Sequence, residues 1–378
     1  MSEQMSMFDF MEDGEQYKPI KSTDWKWTFA DYPKQKNGIK VFSCFACGGG
    51  STMGYKLAGC DVLGCCEIDK QMNDIYVENH HPKYNFLMDI RDFNNLPDSE
   101  IPEELFDIDI LDGSPPCTTF SMAGEREESW GKKKVFREGQ AEQTLDDLSF
   151  VFIKTVCKLH PKVVVMENVE GLTLGSAWEY VQKIYAKLND AGYSVHHWLL
   201  KGETMGIPQM RHRVFFVAIR NDLCINPKDI DMSFNYLPVL FKEIKSEKGD
   251  PFSNTNGKYY TLLDYAKETD HAICDIAERV TGKRSGFNTK LVRDNEVMST
   301  IRSSGGGDTI RVNEKTWVTK QDLINAQTFP SDYWFGNNNA SKTMVAYVCG
   351  MSVPPVMMKR IVQRLIDEGV FDYKKCEK

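Results

Sequence analysis

Ile39-Lys40-Val41-Phe42-Ser43-Cys44-Phe45-Ala46-Cys47-Gly48-Gly49-Gly50-Ser51-Thr52-Met53-Gly54, with a second apolar run at Asp61-Val62-Leu63-Gly64-Cys65-Cys66-Glu67, is the stretch that decides the fold. It reads as strand, glycine-rich turn, helix and second strand. Glycines in such a turn let a ligand approach the backbone, and a helix N-terminus favours electron-rich groups. Alone, the turn is equally well a tight strand-to-helix connection. Glu67 changes its meaning, because an acid at the end of the second strand, about 20 residues on, suits the two hydroxyls of a ribose. The two features together imply an adenosine-containing cofactor, with Phe45, Ala46, Gly48, Gly49 and Gly50 in the turn. Asp89 could accept from an adenine amino group, with Ile68 and Ile90 packing on the ring faces.

Outward from this stretch the same texture repeats. Strands are predicted at Ile39–Ala46, Asp61–Glu67, Phe106–Asp112, Lys162–Glu167, Val195–Leu200 and Val214–Ile219, with helices such as Gly54–Ala58, Lys70–Asn79, Leu145–Leu159 and Trp178–Ala191 between them. This alternation predicts an α/β fold, a doubly wound Rossmann-like domain whose parallel sheet is covered on both faces. Residues 1–38 are polar, start acidic and lack a sustained period, so a loose arm is expected there. The alternation stops after Arg220, and residues 221–335 read as a second, smaller domain that includes the glycine-rich Ser303–Asp308. Residues 336–378 close with a helix behind Pro354 and Pro355, returning to the 39–220 domain.

The totals suit a globular chain that needs no disulfides: 378 residues, 41% hydrophobic and 26% charged, with 11 scattered cysteines. No apolar run approaches the roughly 18 residues of a membrane span, so a cytoplasmic protein with reduced thiols is expected. A net charge of −8 is not that of a typical nucleic-acid binder. Basic residues nevertheless gather at Lys132–Lys134 with Arg137, at Lys283, Arg284, Lys290 and Arg293, and at Lys359, Arg360 and Arg364. Such runs are commonly solvated faces and matter only where they flank a site.

Asp112-Gly113-Ser114-Pro115-Pro116-Cys117-Thr118-Thr119-Phe120-Ser121 follows the alternation of Phe106, Ile108 and Ile110. Most free cysteines are core residues. Here two prolines stiffen the chain directly before Cys117, at a strand end where open α/β sheets place their ligands. Val163–Met166 delivers Glu167-Asn168-Val169 to the same edge, and Gln209-Met210-Arg211-His212-Arg213 enters the next strand with Gln209, Arg211 and Arg213 on one face. A carboxylate and guanidiniums so aimed suit proton exchange and a carbonyl or phosphate.

In this order the elements resemble the cytosine carbon-5 DNA methyltransferases of bacteria and phages, over about Ile39 to Ile366. The matching pieces are Phe45–Gly50, Glu67, Asp89-Ile90, Pro116-Cys117, Glu167-Asn168-Val169, Gln209-x-Arg211-x-Arg213 and Gly350-Met351-Ser352-Val353-Pro354-Pro355. The resemblance implies S-adenosylmethionine as cofactor, with Pro115, Met351 and Ser352 also beside it, and double-stranded DNA as substrate. It makes Cys117 the nucleophile toward carbon 6 of a flipped cytosine, Glu167 the partner of ring nitrogen 3 and the amine, and Arg213 that of the base carbonyl. Asn168 would hold the loop, and Gln209 and Arg211 would help place the catalytic loop and backbone. Ser121, Gln209, Lys283, Arg284, Lys290 and Arg293 are expected to contact DNA, residues 122–144 to form a closing loop, and residues 221–335 to read bases.

The resemblance further implies a monomer with a cognate restriction endonuclease as partner. The chain departs from the family pattern at Cys47, Thr118 and Met351, where glycine, glutamine and asparagine are usual. Met351 replaces an amide beside the cofactor, which raises the expectation of altered cofactor affinity or an altered one-carbon group. Three other readings compete: a NAD-type dehydrogenase, which leaves Cys117, Glu167 and Arg213 unexplained; a non-catalytic DNA binder; and an RNA (transfer-RNA) methyltransferase. Cys44, Cys47, Cys65 and Cys66 lack the spacing of a clean zinc site, and no metal is expected.

Overall fold

The computed structural model describes residues 19–116, 133–134, 143–144, 148–253, 257–284, 286, 288–304, 307–337 and 339–373. Its centre is a seven-stranded sheet built from β1 (Lys40–Cys44), β2 (Asp61–Glu67), β3 (Tyr84–Leu87), β4 (Ile110–Gly113), β5 (Val163–Val169), β6 (Tyr193–Lys201) and β7 (His212–Arg220). The strand order is β3-β2-β1-β4-β5-β7-β6. Helices α1 (Gly50–Leu57), α2 (Lys70–His80), α3 (Ile90–Asn95), α4 (Leu148–Leu159) and α5 (Trp178–Asp190) connect the strands. The α/β fold with a large central sheet therefore agrees with the sequence reading.

Strand alternation divides the core in two. Phe42, Val164, Met166, Val214 and Phe216 point to one face, where they meet helices α3, α4 and α5. Their neighbours Val41, Val163, Val165, Phe215 and Val217 point to the other, against Tyr55 of α1 and the last helix. A strand buried on both faces reads as a continuous apolar run, which explains Val163-Val164-Val165-Met166.

The expectation of a wholly parallel sheet is corrected at one edge. β7 runs antiparallel to both β5 and β6. Only residues 202–211 separate β6 from β7, too few for the crossover helix that a parallel return requires. The expected loose arm is likewise corrected for its described part. Trp27 is buried, its indole N–H donates to the Thr328 carbonyl at 2.8 Å, and Asp24 pairs with Arg360 at 2.6 Å. Aromatic surface and charge pairing hold this segment despite its lack of periodicity.

Beyond β7, α6 (Ile273–Thr281) packs with a small sheet in which Lys290–Val292 pairs in parallel with Thr309–Arg311, and Thr316–Trp317 antiparallel to the latter. Leu262, Leu263, Ile273, Ile276, Leu291 and Ile310 form its separate core. The chain then returns through α7 (Lys320–Ala326), α8 (Lys342–Met351) and α9 (Pro355–Asp367), with α9 lying along α1. Phe329, Tyr333 and Phe335 already pack with Met53 and Met72, so contact with the sheet domain resumes before residue 336. Among the described residues no helix is long and apolar enough to cross a membrane.

Candidate active site

The turn after β1 is tight because the chain itself crowds it. Phe45, Cys47 and Gly49 take φ values of +56°, +47° and +80°. At Gly49 a side chain would be strained by that φ and would also strike the His80 ring, 2.1 Å from the Cβ position. At Gly50 it would lie 2.2 Å from the Val353 carbonyl oxygen. The glycines thus admit His80 and the segment ahead of α9, a requirement beyond ligand approach. Tyr333 Oη donates to the Gly48 carbonyl at 2.6 Å, and His80 Nε2 lies 3.1 Å from the same oxygen. Burial pushes the His80 imidazole down to about 3, so it is neutral and carries its proton on Nε2 to donate there.

Glu67, buried at the end of β2, accepts from the backbone N–H of Cys47 and of Asp69, each at 2.8 Å. Desolvation raises its pKa, and these N–H bonds oppose the shift. The arrangement fastens β2 to the glycine turn and leaves lone pairs for ribose hydroxyls. Phe45, Ile68, Asp89, Ile90 and Leu148 line an adjoining cleft with Cys66, Met88 and Arg91. Asp89 caps α3 by accepting from Arg91 N at 2.8 Å, with the Arg91 guanidinium 3.4 Å away. It is both a helix cap and a wall of the cleft. Apolar faces with one carboxylate acceptor fit an adenine ring, so the residues present are compatible with an adenosyl cofactor.

Cys117 and Ser121 lie outside the described residues, as does most of 122–144; Pro115 is buried at the end of the described segment. Asn168 Nδ2 donates to the Pro115 carbonyl at 3.3 Å, while its Oδ1 accepts from Val169 N at 2.9 Å. Glu167 Oε1 and Arg213 Nε form an ion pair at 2.8 Å. Antiparallel pairing sets Arg213 opposite Val169 and Phe215 opposite Glu167, which brings the two side chains together across the strands. Arg213 also donates to the His212 carbonyl at 2.7 Å.

Sequence reading missed Asp112, although an acid inside an apolar strand was a usable signal. It is buried and accepts from Ser43 Oγ at 2.7 Å and Tyr55 Oη at 3.1 Å. Burial pushes its carboxyl up to about 7 against those hydrogen bonds, with Glu167 adding to the rise.

Several expected contacts are corrected. Gln209 is fully buried, with Nε2 donating to Gln327 Oε1 at 2.7 Å and Oε1 accepting from Ile301 N at 2.9 Å. It ties the strand entrance to the returning chain, because Gln209–Met210 pairs with Met298–Ser299, and with its second N–H donated to the Ala326 carbonyl at 3.2 Å the buried amide has no donor left for DNA. Arg211 is also buried and donates to the carbonyls of Ile301 and Gly350 at 3.3 and 3.0 Å, contacts of the backbone-placing kind expected of it. Arg293 donates to the Asp270 carbonyl and pairs with Glu296 at 3.0 Å. Arg284 is exposed and pairs with Glu278 and Asp275. Local acids occupy both guanidiniums; Lys283 is exposed and Lys290 half-buried. Lys359, Arg360 and Arg364 are engaged with Asp24 and Asp231.

Ser352 is buried beside the glycine turn, and half-buried Met351 packs on the cluster that holds Trp27 and Met53. Cys44, Cys47, Cys65 and Cys66 are buried free thiols. Among the described residues no three His, Cys, Asp or Glu side chains are grouped to hold a metal.

A glycine turn at the first strand, an acid ending the second and a carboxylate–guanidinium pair at the mouth of the central strands make up an α/β enzyme site suited to an adenosyl cofactor. The model of the C-5 cytosine-specific DNA methylases matches residues 39–367, and the chain belongs to that family. It is 32% identical over 274 residues to the Type II methyltransferase M.FnuDI of Fusobacterium nucleatum, covering 71% of each chain. To M.NgoFVII of Neisseria gonorrhoeae it is 26% identical over 366 residues, covering 90% of each. Among solved structures, a putative DNA modification methyltransferase encoded within a prophage of E. coli matches with a TM-score of 0.61 at 18% identity, covering 87% of this chain and 99% of that one. A Spodoptera frugiperda DNMT2 mutant matches equally well at 17% identity, covering 87% and 100%. The protein is a DNA cytosine-5 methyltransferase, and the dehydrogenase, binding-only and RNA readings are not favoured.

Proposed function

We propose that this enzyme methylates carbon 5 of a cytosine flipped out of double-stranded DNA, with Cys117 as nucleophile. The observation that carries the reading is the Glu167–Arg213 pair at 2.8 Å, on strand ends that also grip the Pro115 carbonyl through Asn168. The Cys117 thiolate forms a bond to carbon 6, and the ring electrons move to carbon 5. Glu167 holds ring nitrogen 3 and the exocyclic amine, while Arg213 steadies the carbonyl. S-adenosylmethionine would be held by Glu67 and by the cleft of Phe45, Ile68, Asp89 and Ile90, and would supply a methyl on a sulfonium, leaving as the neutral thioether. Once carbon 5 carries the methyl, it gives its proton to water, the electrons of that bond expel the Cys117 sulfur from carbon 6, and the thiolate is regenerated.

In this reading residues 221–335 select the DNA sequence, Lys283 and Lys290 meet phosphates, and the enzyme works as a nucleoid-associated monomer beside a cognate restriction endonuclease. Met351 tunes affinity for the methionine part of the cofactor. Incubation with unmodified DNA and S-adenosylmethionine, then nucleoside mass spectrometry, tests the central claim. 5-Methylcytosine is expected, and none with Cys117→Ser. Sustained turnover by that variant would overturn the mechanism. For Met351, titration calorimetry of Met351→Asn decides: unchanged cofactor affinity removes the residue from the site.

A further inference from the structure

His212 opens β7 immediately before Arg213 and faces carboxylates from two other elements. Its Nε2 lies 2.8 Å from Glu203 Oε1, in the turn Gly202–Met205 that follows β6. Its Nδ1 lies 3.5 Å from Glu170 Oε2, in the turn that continues β5 beyond Glu167-Asn168-Val169. A neutral imidazole can donate to Glu203 but carries no charge for Glu170; only the imidazolium donates to the first and pairs electrostatically with the second. Glu203 Oε2 is buried without a hydrogen-bond partner, so that carboxylate leans on His212. The backbone of His212 is engaged as well, since its carbonyl accepts from the same Arg213 guanidinium that pairs with Glu167.

We propose that His212 is a positioning residue for the Glu167–Arg213 pair, a cationic bracket that pins the end of β5 and the turn after β6 to the start of β7. The proposal rests on the reading of Glu167 and Arg213 as the groups that engage the base. The bracket is intact when the imidazole is doubly protonated and opens when it loses a proton. Glu203 first, then Glu170, hold the imidazolium above its ordinary range, against burial and against Lys201, which stands opposite on β6. Arg213, on the same strand, is a further nearby cation. The bracket is therefore closed at mildly acid pH and opens as pH rises through the folded value.

Single-turnover methylation of an unmethylated duplex carrying a mapped site, measured from about pH 6 to about pH 9, tests this with wild type, His212→Gln and Glu203→Gln. Dividing the wild-type rate by the variant rate cancels titrations common to both, including that of Cys117. The ratio to His212→Gln is expected to be about fivefold at the acid end and to approach one at the alkaline end, the size of a favourable charge pair. Glu203→Gln is expected to lower the His212 imidazole pKa read by NMR and to move the alkaline limb down with it. A ratio that does not change with pH, or an imidazole pKa indifferent to Glu203→Gln, would overturn the proposal. Glu167→Gln separates the two claims. If it is impaired while the ratio stays flat, only the bracket fails; if it methylates normally, the reading of the base pocket fails and the bracket with it.

Discussion

Asn168 Nδ2 donates to the carbonyl oxygen of Pro115 across 3.3 Å, so the strand end that carries Glu167 also grips the segment two residues before Cys117. In the proposed mechanism this one side chain links the segment that leads to Cys117 with the strand end that carries Glu167. Asn168→Ala should lower kcat about tenfold to a hundredfold, the range expected of a small misplacement of reacting groups. Cofactor affinity should stay within about twofold. Stopped-flow kinetics with calorimetry checks this, and a normal kcat would remove Asn168 from the positioning role.

Asp112 yields a pH prediction with a definite sign. Its folded pKa of about 7 lies above the ordinary value near 4, so between the two the native protein binds a proton that the unfolded chain releases. Unfolding free energy therefore falls as pH rises through that window, by a few kcal/mol at most. Asp112→Asn, which can still accept from Ser43 and Tyr55, should lessen the fall and be more stable than wild type at about pH 8. Urea melts across the window decide it, and a wild-type-minus-variant difference constant with pH would show that Asp112 does not titrate there.

Arg311 and Asp322 are both fully buried, and Asp322 also accepts from Ser246 N at 2.7 Å, joining the small sheet to α7. Asp322→Ala leaves a buried guanidinium without its counter-charge and should cost about 3–5 kcal/mol. The double change Arg311→Met with Asp322→Leu should cost less than the single one, because it removes both charges. If the double variant proves the weaker in denaturant, the pair contributes more than mutual neutralisation.

Gly50→Ala should lower stability by about 1–3 kcal/mol, since a methyl there meets a backbone carbonyl that has no rotamer to change. Thermal melts with and without S-adenosylmethionine measure it. An unchanged Tm would mean that residues 351–354 are free to withdraw.

The sheet domain was legible from Ile39 onward because strands buried on both faces show as apolar runs and their acids stand at the ends. Glu67, Asp89 and Glu167 were read from that pattern, and the structure places them at or just beyond strand ends. The direction of β7 was not, since alternation of apolar residues is the same in either sense; the short span 202–211 was the clue, through its length alone. Gln209 was expected at the DNA, and the buried partners of Gln209 and Arg211 were hidden because Ile301, Gln327 and Gly350 are about 90 to 140 positions away. His80 and Tyr333, which hold the Gly48 carbonyl, had no local signature for the same reason. Trp27 and Asp24 sit in a stretch without a period and are ordered by residues near the other end of the chain.

The first helix of the sheet domain rests on the last, with Gly50 under Val353 and Asp24 against Arg360. During synthesis, then, the glycine turn leaves the ribosome some 300 residues before the chain that completes it. A nascent fragment ending before α9 carries the glycine turn, Cys117 and Glu167 yet lacks the wall behind the cofactor turn. Activity is thus expected only once α9 has left the ribosome, and the same geometry marks the loop before α9 as a place to split the enzyme into two fragments that work only when they meet.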